Sequence, residues 1–309
     1  MLAKHILNTI VYYDVMNYPL TIFEIWKHLI TLEKDDFQKG QVSLGEVLEC
    51  LEKDTWLRGK VGGLKGFFFL RGREDLIEER LIREKISFQK IKKTAQAVSW
   101  MRFLPFLRQV FVAGRVAMKN AKSESDLDVI IIAKSGRIFL ARLLAVLGTH
   151  LLGKRRHGSK VSDRICLNHF WSENGSPETQ DLFSCHEYSF ILPIWRARNS
   201  RFNLRDKNRW MLEYKPNYFF EEEYLTRLED TRLVSFFRTF GEKFLDWEFL
   251  EEMVKKIQIK KIRHNPKSGF SGGRIIYSDE ELAFWPEFES QGPKVWENFS
   301  RKLEKIERS

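Results

Sequence analysis

One stretch limits what this chain can become more than any other. An apolar run, Val110-Phe111-Val112-Ala113, stops at Gly114, and a second, Val129-Ile130-Ile131-Ile132, follows directly on Asp126-Leu127-Asp128. Short runs of β-branched and aromatic residues are strand material. A glycine at the end of the first lets the backbone turn sharply and show its amides to a ligand. Side chains two apart on a strand share a face. Asp126 and Asp128 are therefore expected to project together from the mouth of the second strand, opposite the glycine turn. Two carboxylates so close repel each other unless something positive lies between them. A hard divalent cation such as Mg2+ meets that need, since it takes oxygen ligands and keeps places for phosphate oxygens and water. The competing reading is an exposed turn whose acids face water.

The surrounding periodicity predicts strands at 109–113, 129–133 and 165–170, with a helix over 138–152 between the last two. This β–turn–β–α–β order implies a small mixed sheet and an α+β fold class. The 309 residues suggest about two domains on a prior of roughly 100–200 residues each. Upstream, Ile6, Leu7, Ile10 and Val11 mark a first helix, and Thr21–Glu24 and Ser43–Glu46 are capping boxes that open two more. Trp56-Leu57-Arg58 and Phe67–Leu70 around Gly62 and Gly63 read as a hairpin, which makes residues 1–73 winged-helix-like. Such a module either binds nucleic acid, with Arg58, Lys60, Lys65, Arg71 and Arg73 on its wing, or only packs. Residues 74–105 read as a charged linker helix with Leu76, Ile77, Leu81, Ile86 and Ile91 on its apolar side. The α/β unit then spans 106–180. Residues 181–309 read as mostly helical, interrupted at Pro193 and Pro216 and by a loop over 265–273, with Trp and Phe between 234 and 250 as core and a charged helix over 295–307.

A net charge of +10 favours a polyanionic partner. Cys50, Cys166 and Cys185 have no paired metal-ligand spacing, so a disulfide framework or zinc knuckle is not expected and a reducing compartment is. Residues 1–8 do not read as a secretory signal, and the longest apolar tract, 138–152, contains Arg142 and His150 and is too short to span a bilayer. The expected location is cytoplasmic, with no membrane partner.

The stretch resembles the polymerase-beta-like nucleotidyltransferase superfamily, whose signature is a strand ending Gly-Ser, a short helix with a small residue, then Ser-Asp-x-Asp and an apolar strand. Gly114, Ala117, Ser125, Asp126 and Asp128 match it, and the resemblance covers roughly residues 108–170. The wider layout is similar to bacterial nucleotidyltransferase-domain proteins with an N-terminal winged-helix-like region. The resemblance implies that Asp126 and Asp128 bind the catalytic Mg2+ and that Gly114 and its neighbours Arg115, Lys119 and Ser125 hold the phosphates of a nucleoside triphosphate. It further implies transfer of a nucleoside monophosphate to an acceptor. Many members carry a third carboxylate on a later strand. Two departures stand out. Arg115 replaces the family's Ser, adding a cation that either pairs with phosphate or blocks the pocket. The strand 165–170 offers no acid and carries Asn168 instead, so Asp163, just before it, is the substitute by position. Without a third acid the alternative is a degenerate fold serving as a nucleotide- or nucleic-acid-binding regulator.

Other groups have simpler readings. Lys119 and Lys122 either steer a triphosphate or are solvated. His186-Glu187 beside Cys185 suggests a metal or acid–base pair, but no further spaced ligands accompany it, and a helix start or packing is the simpler reading. Lys154-Arg155-Arg156-His157 either contacts nucleic acid or, by default, is a solvated loop, and Lys255, Lys256, Lys260, Lys261 and Arg263 form the longer basic run suited to a polyanion.

Overall fold

In the computed structural model, which describes residues 1–32, 42–220, 228–266, 273–285 and 288–308, the chain opens with α1 (Leu2–Asp14), burying Ile6, Leu7, Ile10 and Val11. Asn17 leaves this helix at φ 53°, in the left-handed region that Asn tolerates better than most side chains. After β1 (Leu20–Thr21), α2 (Ile22–Lys27) and α3 (Leu44–Lys53) start on the two expected capping boxes, each closed reciprocally between the hydroxyl residue and its Glu.

The hairpin begins later than the sequence suggests. Trp56-Leu57-Arg58 belongs to α4 (Thr55–Lys60), because Asp54 caps a helix there by accepting from the Leu57 amide at 2.8 Å. β2 (Val61–Leu64) and β3 (Phe67–Leu70) then pair antiparallel. Their turn is Lys65-Gly66, both at positive φ as a two-residue hairpin turn requires. Gly62 and Gly63 lie inside β2 rather than at the turn, since phenylalanine rings cover them; a Cβ on Gly62 would sit 3.0 Å from the Phe69 ring. β1 adds to the other side of β3, giving the sheet order β1-β3-β2. α5 (Leu76–Val98), continued by a 3-10 turn at Ser99–Phe103, buries Leu76, Ile77 and Ile91 but leaves Leu81 exposed. It is also tied down by polar ends: Arg80 reaches Glu24 at 2.7 Å and Arg83 reaches Asn120 at 2.9 Å.

β4 (Leu107–Val112), the single turn α6 (Gly114–Ala117), β5 (Leu127–Ala133), α7 (Ile138–Leu151) and β6 (Ile165–Ser172) follow. β4 and β5 are antiparallel, whereas β5 and β6 are parallel across α7. The rest of the chain is α8 (Leu182–Tyr188), β7 (Leu192–Arg196), α9 (Leu204–Lys207), a 3-10 turn at Arg209–Glu213, α10 (Arg232–Leu245), α11 (Glu248–Arg263), β8 (Arg274–Tyr277), β9 (Glu281–Trp285) and α12 (Phe288–Glu307). Residues 181–309 are helical over most of their described length, as expected, but they are not only helical. They supply β7, β8 and β9 to a mixed sheet ordered β7-β4-β5-β6-β9-β8, so the sheet does not stop at residue 180. Pro193 marks an edge strand, not a helix break; β7 lies at the end of the sheet, where a missing amide goes unnoticed. Of the expected loop over 265–273, residues 267–272 lie outside the described residues.

The sheet separates two apolar cores by strict alternation. Val110, Val112, Val129, Ile131 and Ala133 pack on one side with Ile138 and Phe139 of α7. Phe111, Ala113, Ile130 and Ile132 pack on the other with Trp171, Cys185 and Tyr188, the last two on α8. The aromatic side chains of α10 are not core as expected. Phe236, Phe240 and Phe244 are 62%, 50% and 65% exposed, and Trp247 and Phe249 more so, while the buried face of α10 holds Val234, Arg238 and Glu242. That face faces inward because its charges have partners: Arg238 pairs with Asp230 at 2.7 Å, and Glu242 accepts from Arg108 at 2.7 Å. Among the described residues no helix is long and apolar enough to cross a membrane.

Candidate metal centre

The alternation that fills the second core also sets the acids. Asp128 shares the parity of Ile130 and Ile132, so its carboxylate leaves the sheet on the side where α8 lies. Asp126, two residues earlier, stands just before β5. The parallel pairing of β5 with β6 puts Cys166 directly beside Asp128. Among the described residues, Asp126, Asp128 and Cys166 each present one ligand atom within 4.8 Å of the others. Gly114 closes the site from β4. Its φ is +59°, and a Cβ there would stand 2.7 Å from Asp128 Oδ2, so only glycine lets the carboxylate come this near the backbone.

Burial, then the neighbouring Asp126 and then Glu187 push the Asp128 carboxyl up to about 7, against a hydrogen bond from Cys166 and the charge of Arg156. Burial likewise lifts Glu187 to about 7, while Arg115 and Lys215 pull it down. The Cys166 thiol is raised by burial first and by Asp128 and Asp126 next. This is a crowded group of acidic side chains, and Arg156 supplies its nearest cation: Nη1 donates to Asp126 Oδ2 at 2.6 Å and lies 3.7 Å from Cys166 Sγ. The loop is held in place by the Arg156 amide on the Ile165 carbonyl at 3.0 Å and the Ile165 amide on the Lys154 carbonyl at 2.8 Å.

No family model, curated protein or solved structure matches the chain. The chemistry of the donors is what remains to judge the site by. Asp126 and Asp128 offer the hard oxygen atoms a divalent cation takes, and such an ion would offset the burial and, after it, the Asp126 charge that raise the Asp128 carboxyl. The donor set fits.

The remaining expected residues divide. Ser125 shapes the approach to Asp126: its Oγ accepts from the Lys122 amide at 3.0 Å and its carbonyl accepts from Lys90 Nζ at 2.7 Å. Arg115 is exposed on α6, on a side from which its charge is felt at Glu187. Lys119 turns away at φ 59°, with Nζ 3.7 Å from Glu84 and over the Phe88 ring, so it serves α5 rather than the acids. Asp163 does not join the cluster either. Lys90 donates to it at 2.7 Å and Lys93 at 2.5 Å, and although burial alone would raise its carboxyl, these two lysines together hold it below the usual range. It ties α5 to the turn before β5.

Two participants escaped the sequence reading. Glu187 reads in the sequence as a helix-start or packing residue in preference to a metal or acid–base one, because nothing in the chain shows that α8 covers the Asp128 face of β5. Arg156 sat in a basic run that resembled a solvated loop; its partner is 30 residues upstream. The wing cations are largely engaged within the chain: Lys60 reaches the Ile306 carbonyl at 2.5 Å, Arg71 the Arg58 carbonyl at 2.8 Å, and Arg73 Asn17 at 2.6 Å. In the longer basic run, Lys255 pairs with Asp279 at 2.8 Å.

Proposed function

We propose that the protein is an Mg2+-dependent nucleotidyltransferase that moves a nucleoside monophosphate from a nucleoside triphosphate to an acceptor. The observation that carries this reading is the pair Asp126 and Asp128, launched from one end of β5 against the Gly114 turn. On this reading β4, β5 and β6 form a nucleotidyltransferase-like unit, and residues 1–73 form a winged-helix-like module that offers nucleic acid as a second partner. A divalent ion bound there supplies charge neutralisation to the phosphates and a fixed geometry for in-line displacement. Asp126 and Asp128 hold that ion. Arg115, exposed beside the glycine turn, pairs with a phosphate oxygen. Glu187, held near neutrality by its burial, stands as the further carboxylate able to take a proton from an acceptor hydroxyl at physiological pH.

A second reading has its own support. Arg156 already pairs with Asp126, and β6 sets the thiol of Cys166, not a carboxylate, beside Asp128. Both favour a degenerate fold that binds nucleotide or nucleic acid without transfer. Labelled nucleoside triphosphates offered with Mg2+ and mixed RNA, DNA and small-molecule acceptors separate the two. Label transfer that disappears in Asp126→Asn/Asp128→Asn while the fold persists supports the enzyme. Saturable binding with no transfer supports the regulator, and Mg2+ affinity unchanged by the double substitution sinks both.

A further inference from the structure

We infer that Cys166 is the third donor of the Asp126/Asp128 centre, so that the site favours a borderline-soft divalent ion such as Co2+ or Zn2+ over Mg2+ more strongly than two carboxylates alone would. The inference rests on the reading of the acid pair as a metal centre and concerns which ion that centre selects.

Strand register carries it. Asp128 and Cys166 are direct partners across the parallel β5–β6 pairing, and adjacent residues in such a pairing point to the same side of the sheet. The register then shifts: the next pair is Ile130 with His169, so one extra residue is inserted in β6 immediately after Cys166. A bulge re-aims the side chains around it, and here it falls beside the acid pair. The three ligand atoms lie within 4.8 Å of one another. Bonds of about 2.0–2.3 Å to one ion reach ligand atoms up to about 4.5 Å apart, so small side-chain rotations complete the triad. Thiolate sulfur is a soft donor that selects Zn2+-like ions, whereas Mg2+ demands oxygen. Arg156 holds the cation's place against Asp126 Oδ2 and the sulfur, and its side chain is 46% exposed, which leaves it solvent to swing into. The other two thiols lie elsewhere: Cys50 is on α3, and Cys185 is buried against the Met211 carbonyl.

Co2+ titrated into the full chain tests this by absorbance, since sulfur bound to Co2+ gives a near-ultraviolet charge-transfer band that oxygen ligands do not. The band is expected in the wild-type protein and lost in Cys166→Ser, and the ratio of Co2+ to Mg2+ affinity measured by calorimetry is expected to fall about tenfold or more. Cys166→Asp, which restores a hard donor, is expected to bring that ratio down without loss of metal binding. If Co2+ binds in competition with Mg2+ but the band is absent, or survives in Cys166→Ser, the thiol is not a ligand and the acid-pair centre stands. If neither ion binds the wild-type protein, the centre itself falls.

Discussion

Arg156 donates to Asp126 Oδ2 at 2.6 Å and so stands where a cation would otherwise neutralise the acid pair. The loop carrying it is pinned to the start of β6 by backbone hydrogen bonds, but the guanidinium itself is half-exposed. An ion pair of that kind is worth at most about 1 kcal/mol. Arg156→Ala is therefore expected to leave thermal stability nearly unchanged and to tighten divalent-ion binding by roughly fivefold, the equivalent of removing that competition. Calorimetric titration checks it; weaker binding would mean that Arg156 assists the ion instead of excluding it.

The raised carboxyls give a pH signature. An unfolded Asp loses its proton near pH 4, whereas Asp128 in the folded protein keeps its own up to about 7. Between those values the folded state binds more protons, so this group's contribution to stability falls as pH rises through the window and is constant above it. Glu187 acts with the same sign. The buried His28 and His186, held well below their usual range by burial, act in the opposite direction below about pH 6.5. The difference between proteins isolates the site: metal-free Asp128→Asn is expected to gain stability relative to wild type as pH goes from 4 to 7, by on the order of 2–4 kcal/mol. Denaturant melts at a series of pH values measure it, and a flat difference would show that Asp128 ionises normally.

Gly114 is committed twice, by its positive φ and by the Asp128 oxygen a side chain would strike at 2.7 Å. Gly114→Ala is expected to cost about 1–3 kcal/mol and to displace the carboxylate, weakening metal binding. Adding Asp128→Ala should recover part of the stability loss, because the two sites are in contact and their effects are not additive. Full additivity in thermal melts would place the strain elsewhere.

Short apolar runs of β-branched and aromatic residues made β4, β5 and β6 legible, and the two capping boxes made α2 and α3 legible, because both signals are local. What the sequence concealed was non-local. β7, β8 and β9 join the sheet from beyond residue 180, and Pro193 argued against a strand until its edge position was known. Asp126 and Asp128 were found by spacing alone; Cys166 came beside them through a register, Glu187 through the packing of α8, and Arg156 through a loop bridge. None of these leaves a pattern along the chain.

The aromatic stripe of α10 was misread for a related reason: apolar spacing identifies a helix face but not which face is buried. Here the buried side is fixed by the Arg238–Asp230 and Glu242–Arg108 pairs. Phe240→Ser and Phe244→Ser are accordingly expected to change stability by no more than about 0.5 kcal/mol each, while Arg238→Ala, which strands Asp230 in a buried position, should cost about 3 kcal/mol or more. Chemical denaturation ranks them; a larger loss for the phenylalanines would mean that α10 is covered in solution.

Asp163 offers the sharpest contrast between a tether and a participant. Lys90 is buried, and its ammonium is shared among Asp163 and the carbonyls of Ser123 and Ser125, the turn that delivers Asp126. Asp163→Asn removes the charge opposite Lys90 and Lys93 but can still accept a hydrogen bond, so the expected cost is about 1–3 kcal/mol of stability. The carboxyl is held low, so its contribution is present above the unfolded value near pH 4 and is lost as pH falls through the folded one. The deficit of Asp163→Asn should therefore shrink in acid. Glu187→Gln should behave the opposite way, gaining stability at neutral pH by removing a buried anion that also raises Asp128. If transfer activity is measured alongside, Glu187→Gln is expected to alter its pH profile and Asp163→Asn only its thermal range. A pH profile that moves with Asp163 and not with Glu187 would return the role of third acid to the residue on the tether.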